Sequence, residues 1–429
     1  MIEPLTPNAQ AILLLTAPLI VGRSDRNSEL LTLGEYNRLA RLLREKQKQP
    51  SELIGSVAGE AISLCAPMLG RERLETLLGR GFLLSQAVER WNARAIWVVS
   101  RADTGYPRRL KARLKEEAPP VLYGCGSAAL LDAGGLAVVG SREVNDELIS
   151  YTENVGRLTA EAGRTLISGG AKGIDRAGMN GALQAGGAAV GVMSDSLERS
   201  ALARDNREPL MDNKLVLTSP YDPAAGFNVG HAMQRNKVVY ALADAALVVT
   251  SDFEKGGTWA GAIEQLQRLH LVPVFVRNGA GAGKGNAALL QHGARIWPNP
   301  QSPSELSEAL SAAAAAIAAE PKQEALSFAL RDQPPAQEIK AADTPPAAPL
   351  NASPPETKLT PSQLLFNSVR DILRRELLQP KTETQVAELL EISKSQASVW
   401  LKKLVAIGEV EKISKPLRYR AARAAERLL

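Results

Sequence analysis

The chain has 429 residues, of which 45% are hydrophobic and 4% aromatic, and its formal net charge at pH 7 is +5. This length predicts two to three domains, and the hydrophobic fraction excludes a globally disordered chain. Two cysteines and three dispersed histidines indicate neither a disulfide framework nor a zinc site, so we expect no metal and no cofactor.

The N-terminal region, residues 1–115, is predicted to be helical, because leucines recur at helical spacing between glycine breaks. Its apolar run 11–21 is short and contains Pro18, which indicates neither a signal peptide nor a membrane span. We therefore expect a cytoplasmic protein with no membrane partner. The segment 69–81 has the length of a small helical pair, and we favour a plain scaffold over a DNA-contacting helix–hairpin–helix.

Residues 116–300 predict an α/β domain. Apolar runs alternate there with helical stretches such as 149–162 and 178–185, a spacing that is typical of a Rossmann-like, mainly parallel, doubly wound sheet. The predicted strands are 136–139, 165–167, 188–192, 214–217, 246–249 and 272–276.

Two of these strands end in small-residue turns with one basic side chain each. The first reads Ala-Val-Val-Gly-Ser-Arg at 137–142, and the second reads Leu-Ile-Ser-Gly-Gly-Ala-Lys-Gly-Ile-Asp at 166–175. Such turns leave backbone N–H groups free to bind phosphate, so they predict a site for a nucleotide or a nucleic-acid backbone. We expect Asp175 to anchor the second turn. The candidate phosphate ligands are Gly140, Ser141, Arg142, Ser168, Gly169, Gly170, Lys172 and Gly173.

The C-terminal third changes composition twice. Residues 301–360 are rich in Pro and Ala and predict a linker. Residues 361–429 carry the basic surplus and read as helix, helix, turn, helix and a two-stranded wing, the order of a winged helix-turn-helix domain. Many such domains bind protein instead of DNA, so its partner stays open. Its candidate DNA contacts are Lys394, Ser395, Gln396, Lys402 and Lys403.

The two glycine turns, followed by Gln-Arg-Asn-Lys at 234–237, resemble the DprA/Smf family of DNA-processing proteins. The family's core carries a Gly-Ser-Arg turn, a Ser-Gly-x-Ala-x-Gly-Ile-Asp turn and an Arg-Asn-Arg segment. Segments 103–107 and 119–124 are similar to its lead-in, so the resemblance covers roughly residues 95–280.

This resemblance implies a DNA-binding role without a catalytic residue. Arg235, Asn236 and Lys237 would join the phosphate ligands, and the protein would bind single-stranded DNA without sequence preference. It also implies a homodimer that helps a RecA-type recombinase to load on incoming DNA, in transformation, recombination or defence. Few aromatic residues are present on which DNA bases could stack, and the candidates are Tyr221, Phe227 and Trp259.

Three departures from the family pattern keep two alternatives open. The family's histidine is missing from 176–180, its Phe-Pro does not precede Arg235, and 254–264 replaces its Ser-Gly-Ser loop. Gly-Gly-Thr at 256–258 with Glu264 is similar to the LOG nucleotide phosphoribohydrolases. Arg235 would then orient a nucleoside monophosphate, while Glu264 would stabilise positive charge or activate water. The other alternative is a nucleotide-sensing DNA-binding regulator.

Overall fold

The structure is a computed structural model, in which the chain forms two compact units, Met1–Phe328 and Ala329–Leu429. No helix among the described residues is long and apolar enough to cross a membrane. The described residues are 4–19, 30–55, 58–279, 282–319, 370, 373, 376–377, 379–389, 397–398, 401, 404–405, 409–413 and 418–421.

Five helices come first in the chain. Thr32 and Glu35 form a capping box at the second helix, in which each side chain bonds the backbone of the other residue. Leucines of the second, third and fourth helices share a small core of their own, whereas the first and fifth pack against the larger core of the sheet. The five helices are α1 (Pro7–Thr16), α2 (Leu33–Glu45), α3 (Ala58–Leu69), α4 (Arg71–Leu78) and α5 (Gly81–Asn92).

The sheet begins earlier than expected, inside the region that we predicted to be helical up to residue 115. Strand β1 (Trp97–Ser100) pairs antiparallel with β2 (Val121–Gly126). The run Trp-Val-Val at 97–99 is apolar and β-branched, which favours a strand, and the indole of Trp97 donates to the carbonyl of Gly126 at 2.9 Å. This strand was not predicted, because its short apolar run directly follows a helical stretch, and neither β2 nor the two-residue strand at the opposite edge of the sheet was among the predicted strands.

Nine strands form one sheet in the order β1-β2-β6-β5-β4-β3-β7-β8-β9. Only the β1–β2 and β2–β6 pairs are antiparallel, so the predicted mainly parallel, doubly wound sheet is confirmed. The remaining strands are β3 (Leu136–Gly140), β4 (Leu166–Ser168), β5 (Ala189–Val192), β6 (Leu215–Ser219), β7 (Ala245–Thr250), β8 (Val274–Val276) and β9 (Arg295–Ile296).

Helices cover both faces of the sheet, as the alternation of side chains along β3 shows. Leu136 and Val138 pack with the two helices that follow β3 and β4, whereas Ala137 packs against the helix between β6 and β7. These and the other helices of this unit are α6 (Arg108–Leu114), α7 (Asp146–Glu161), α8 (Ile174–Gln184), α9 (Leu197–Ala201), α10 (Arg204–Met211), α11 (Val229–Leu242), α12 (Gly256–Glu264), α13 (Lys284–Gln291) and α14 (Pro303–Ala319).

The strand order reverses at β3. Strands β4, β5 and β6 extend the sheet to one side of β3, and β7, β8 and β9 extend it to the other. Connections therefore leave the carboxyl ends of β3 and β7 in opposite directions and open a crevice between them. Open α/β sheets bind ligands at such a topological switch point.

The C-terminal unit has its own small core, with Leu373, Val386 and Tyr419 among its buried residues. Its described elements are α15 (Glu383–Leu389) and an antiparallel pair, β10 (Val410–Ile413) and β11 (Arg418–Ala421). The winged helix-turn-helix assignment stays a prediction. The five candidate DNA contacts, Lys394, Ser395, Gln396, Lys402 and Lys403, lie outside the described residues.

Candidate functional site

A cleft of about 820 Å³ lies at the switch point. The turn after β3 lines it, and so do Gly169, Ala171 and Asp175 after β4. Residues of α11 and of the loop that leads into α12 also contribute to the lining. The predicted phosphate ligands that line it are Gly140, Ser141, Arg142, Gly169, Arg235 and Asn236. The predicted anchor Asp175 and the stacking candidates Phe227 and Trp259 line it as well.

The turn after β3 presents its side chains to the cleft. Gly140 ends the strand, and its carbonyl accepts a hydrogen bond from the Thr258 hydroxyl at 3.0 Å. Arg142 is exposed, and its guanidinium carbon lies 5.3 Å from the centre of the Phe227 ring. This turn therefore offers a solvent-accessible cation beside an aromatic ring, within the contact range of a cation–π pair.

The turn after β4 is directed inward instead. Ser168 is fully buried, and its hydroxyl donates to the carbonyl of Val138 at 2.6 Å. The prediction that this hydroxyl binds phosphate is wrong, because its only proton is engaged inside the sheet. Gly170 is half-buried in the same turn, whereas Lys172 is exposed beside the cleft and does not line it.

Gly173 joins the two turns. Its φ of +80° lies in the left-handed region that favours glycine, and an added Cβ would lie 2.6 Å from the backbone oxygens of Ser141 and Arg142. The residue precedes α8 directly, and no side chain caps this helix at that position. Gly173 thus shapes the cleft by close backbone packing.

Arg235 is not the surface cation that the sequence analysis expected. It is only 5% exposed, and one of its guanidinium nitrogens donates to the carbonyl of Val192. Burial lowers its pKa, and the nearby Asp175 carboxylate opposes this shift. The Nε atom of Arg235 has no hydrogen-bond partner among the described residues, although the residue lines the cleft.

Asp175 is a buried acid close to Arg235. Burial raises the pKa of its carboxyl, while the charge of Arg235 and backbone hydrogen bonds from Ala171 and Gly140 lower it. Gly169 permits this arrangement, since an added Cβ there would overlap the Arg235 guanidinium and lie 2.5 Å from the Asp175 carboxylate. Two buried side chains of opposite charge, Asp175 and Arg235, therefore lie close together, which no local spacing indicated, and the anchoring role of Asp175 stays a prediction.

The other two residues of the 235–237 segment point in different directions. Asn236 donates from its amide to the carbonyl of Gly257 at 2.8 Å and lines the cleft. Lys237 is buried outside the cleft and forms an ion pair with Glu117 at 3.2 Å. Hydrogen bonds from Arg268 and Lys237 lower the pKa of Glu117 to about 2. The structure therefore does not bring Lys237 together with the phosphate turns.

Glu264 also lies outside the cleft. Its carboxylate forms an ion pair with Arg268 on the same stretch of chain. Arg235 and Glu264 are therefore not arranged around one cavity, as a glycosidic hydrolase would need. No cluster of three or more potential metal ligands occurs in the part of the chain that the structure describes.

The start of α12 is a cleft feature that the sequence analysis assigned to another pattern. No side chain caps the helix at Lys255, and the backbone of its first turn, Gly256 to Thr258, lines the cleft. The first N–H groups of a helix have no partner inside the helix and attract anions. The Gly-Gly-Thr sequence thus adds backbone donors to the cleft.

Charges around the cleft are mixed. Arg142 and Lys255 are exposed cations, whereas Glu143, Asp252 and Glu254 are exposed acids. Because the cleft is not uniformly positive, an anion would be held by local donors and not by a broad positive field.

The aromatic candidates take three different environments. Phe227 is 58% exposed, whereas Tyr221 stacks on His231 with ring centres 3.8 Å apart. Trp259 is half-buried, and its ring meets Phe253 edge to face at 5.3 Å. Only Phe227 offers most of its ring to solvent, so it is the strongest stacking candidate of the three.

A doubly wound sheet with glycine turns at its switch point is typical of the class of α/β proteins that bind nucleotides or nucleic acids. A sequence profile of the family described as DNA recombination-mediator protein A matches residues 97–310. The chain belongs to this family, the DprA/Smf proteins, through that region.

Individual relatives agree with this assignment. The chain is 28% identical to the DNA processing protein DprA of Streptococcus pneumoniae over 188 residues, which are 43% of this chain and 66% of that protein. It is 30% identical to protein Smf of Escherichia coli over 207 residues, which are 46% of this chain and 52% of Smf. The matches thus span about half to two thirds of these curated relatives.

A solved structure shares the fold. The X-ray structure of DprA from Streptococcus pneumoniae superposes with a TM-score of 0.53 and 20% sequence identity. The superposition covers 71% of this chain and 98% of that chain.

Proposed function

We propose that this protein binds single-stranded DNA in the cleft at the switch point, without sequence preference. The observation that carries the proposal is the position of Arg142. Its exposed guanidinium lies at the carboxyl end of β3, beside a glycine turn, the uncapped start of α12 and an exposed aromatic ring. Phosphate donors next to a stacking surface are what a single strand requires.

The proposal includes a wider role in DNA processing. The protein would hold incoming DNA and help a RecA-type recombinase to load, and it would act as a homodimer. Two observations support this role. The relatives are named as DNA-processing proteins, and the glycine turns resemble those of the DprA/Smf family. Light scattering of the purified chain would test the dimer. Recombinase filament assembly on protein-coated single strands would test the loading role.

Fluorescence anisotropy with the full chain tests DNA binding directly. Labelled oligo-dT and a duplex of the same length are titrated at two or more salt concentrations. The variant Arg142→Ala/Lys172→Ala removes the two exposed cations of the glycine turns. We expect single-strand binding to weaken several-fold or more, with a salt slope that is smaller by about 1 to 2.

The matched control is Arg164→Ala/Lys214→Ala. Both residues are exposed; Arg164 lies two residues before β4 and Lys214 one residue before β6, so they lie at the opposite end of the parallel strands. This control removes the same net charge but should leave affinity close to wild type. Equal losses in the two double variants would show only a general charge effect, and unchanged binding of Arg142→Ala/Lys172→Ala would remove the cleft as the DNA site.

A further inference from the structure

The start of α11 exposes an unusual set of apolar side chains. Phe227, Val229 and Met233 are 58%, 63% and 44% exposed, and all three line the cleft. Exposed apolar groups that gather at one place mark a binding surface more often than isolated ones do. We name these three residues the apolar strip.

The strip follows from how α11 begins. Asn228 caps the helix by accepting a hydrogen bond from the His231 amide at 3.1 Å. Val229 and Met233 are four residues apart and therefore share one face of the helix, while Phe227 lies just before the cap. All three therefore lie at the start of α11 and line the same cleft.

Charge distinguishes the strip from the rest of the cleft lining. None of its three members is charged, whereas the turn after β3 carries Arg142 and the loop before α12 carries Asp252, Glu254 and Lys255. Phosphates have donors at the glycine turns and at the start of α12, but none on the strip side chains. A ligand with a charged backbone and flat apolar faces would fit this division.

The contact between Arg142 and Phe227 connects the two parts. With the guanidinium carbon 5.3 Å from the ring centre, a phosphate bound at Arg142 would lie next to the ring. The base attached to that nucleotide is the group that could then reach the ring.

We infer that the apolar strip is the base-contacting wall of the cleft, with Phe227 as the residue on which an unpaired base stacks. This inference rests on the proposed function, and it explains how the protein would discriminate between single-stranded and double-stranded DNA. In a duplex each base face is already covered by its neighbours, so only an unpaired base has a face free for Phe227. Stacking is tolerant of base identity, so sequence preference stays low.

A double-mutant cycle between protein and DNA tests the inference. Full-length wild type and Phe227→Ala are titrated with oligo-dT and with an abasic oligonucleotide of equal length and charge. Phe82→Ala is the control, since Phe82 is 74% exposed on α5 and does not line the cleft. Loss of one stacked base should weaken oligo-dT binding by about 5- to 100-fold.

The expected pattern is specific to base contact. Phe227→Ala should bind the abasic strand as wild type does, Phe227→Trp should retain oligo-dT affinity, and Phe82→Ala should change neither. Equal weakening on both strands, or no weakening on oligo-dT, would overturn the base-wall assignment. Conversion of a wild-type dimer to a monomer by Phe227→Ala would also overturn it, because the strip would then be a subunit interface.

Failure of the proposed function gives a different result. If wild type binds neither strand, the cleft is not a DNA site, and the inference falls with it. If wild type binds both strands but Phe227→Ala shows no selective loss, the proposed function stands and only the base wall is excluded.

Discussion

The two glycine turns have similar sequences but different structural roles. The turn after β3 keeps Arg142 exposed beside Phe227. The turn after β4 buries the Ser168 hydroxyl and leads to Asp175, whose buried carboxyl lies close to the buried Arg235 guanidinium. Small residues after a strand therefore do not by themselves define a ligand contact, since the same residue types also support the backbone from within.

This contrast yields stability predictions for the β4 turn and binding predictions for the β3 turn. The largest expected effect comes from the two buried opposite charges of Asp175 and Arg235, which we call the charge pair. Asp175→Asn keeps the side-chain volume but leaves Arg235 without its counter-charge, and we expect a loss of about 3 to 5 kcal/mol in unfolding free energy. Urea unfolding followed by circular dichroism measures it.

The control for the charge pair is the double variant Asp175→Asn/Arg235→Met. It removes both charges, so its loss should be clearly smaller than the sum of the two single losses. Additive losses would show that Asp175 and Arg235 do not interact, and the comparison between the turns would lose its main support.

Gly169→Ala should have the second largest effect. The added Cβ would overlap the Arg235 guanidinium, which cannot move away because it is buried. We expect a loss of about 2 to 3 kcal/mol from overpacking, measured as a lower urea midpoint. Gly34→Ala, where the Cβ would meet nothing within 4 Å, should stay within about 0.5 kcal/mol of wild type. A wild-type midpoint for Gly169→Ala would contradict the packing described here.

The smallest expected effects concern the serines of the two turns, Ser141 and Ser168. Ser168→Ala removes the buried hydrogen bond to Val138 and should lower stability by about 1 to 2 kcal/mol without changing DNA affinity. Ser141→Ala should do the reverse, with stability nearly unchanged and single-strand affinity reduced a few-fold, since Ser141 lines the cleft. Urea unfolding and fluorescence anisotropy of both variants measure the two effects. A loss of stability in Ser141→Ala together with a loss of affinity in Ser168→Ala would contradict these roles.

Much of the fold was predictable because it depends on local patterns. Each of the six predicted strands corresponds to an observed one, since buried parallel strands are short apolar runs bounded by turns. Strands β1, β2 and β9 were not predicted. All three lie outside the run of alternating strands and helices from β3 to β8 that made the other strands recognisable. The two glycine turns were also recognisable in the sequence, since glycine and serine after a strand are local features.

The sequence alone determined the alternation of strands and helices, the glycine turns at the strand ends and membership in a family of DNA-processing proteins. Only the tertiary structure decided which polar groups face the cleft. Arg235, Lys237 and Ser168 resemble exposed ligands in the sequence, yet all three are buried and hydrogen-bonded to Val192, Glu117 and Val138, and only Arg235 of the three lines the cleft. Those partners lie 30 to 120 positions away along the chain, and a local pattern cannot specify contacts over such separations.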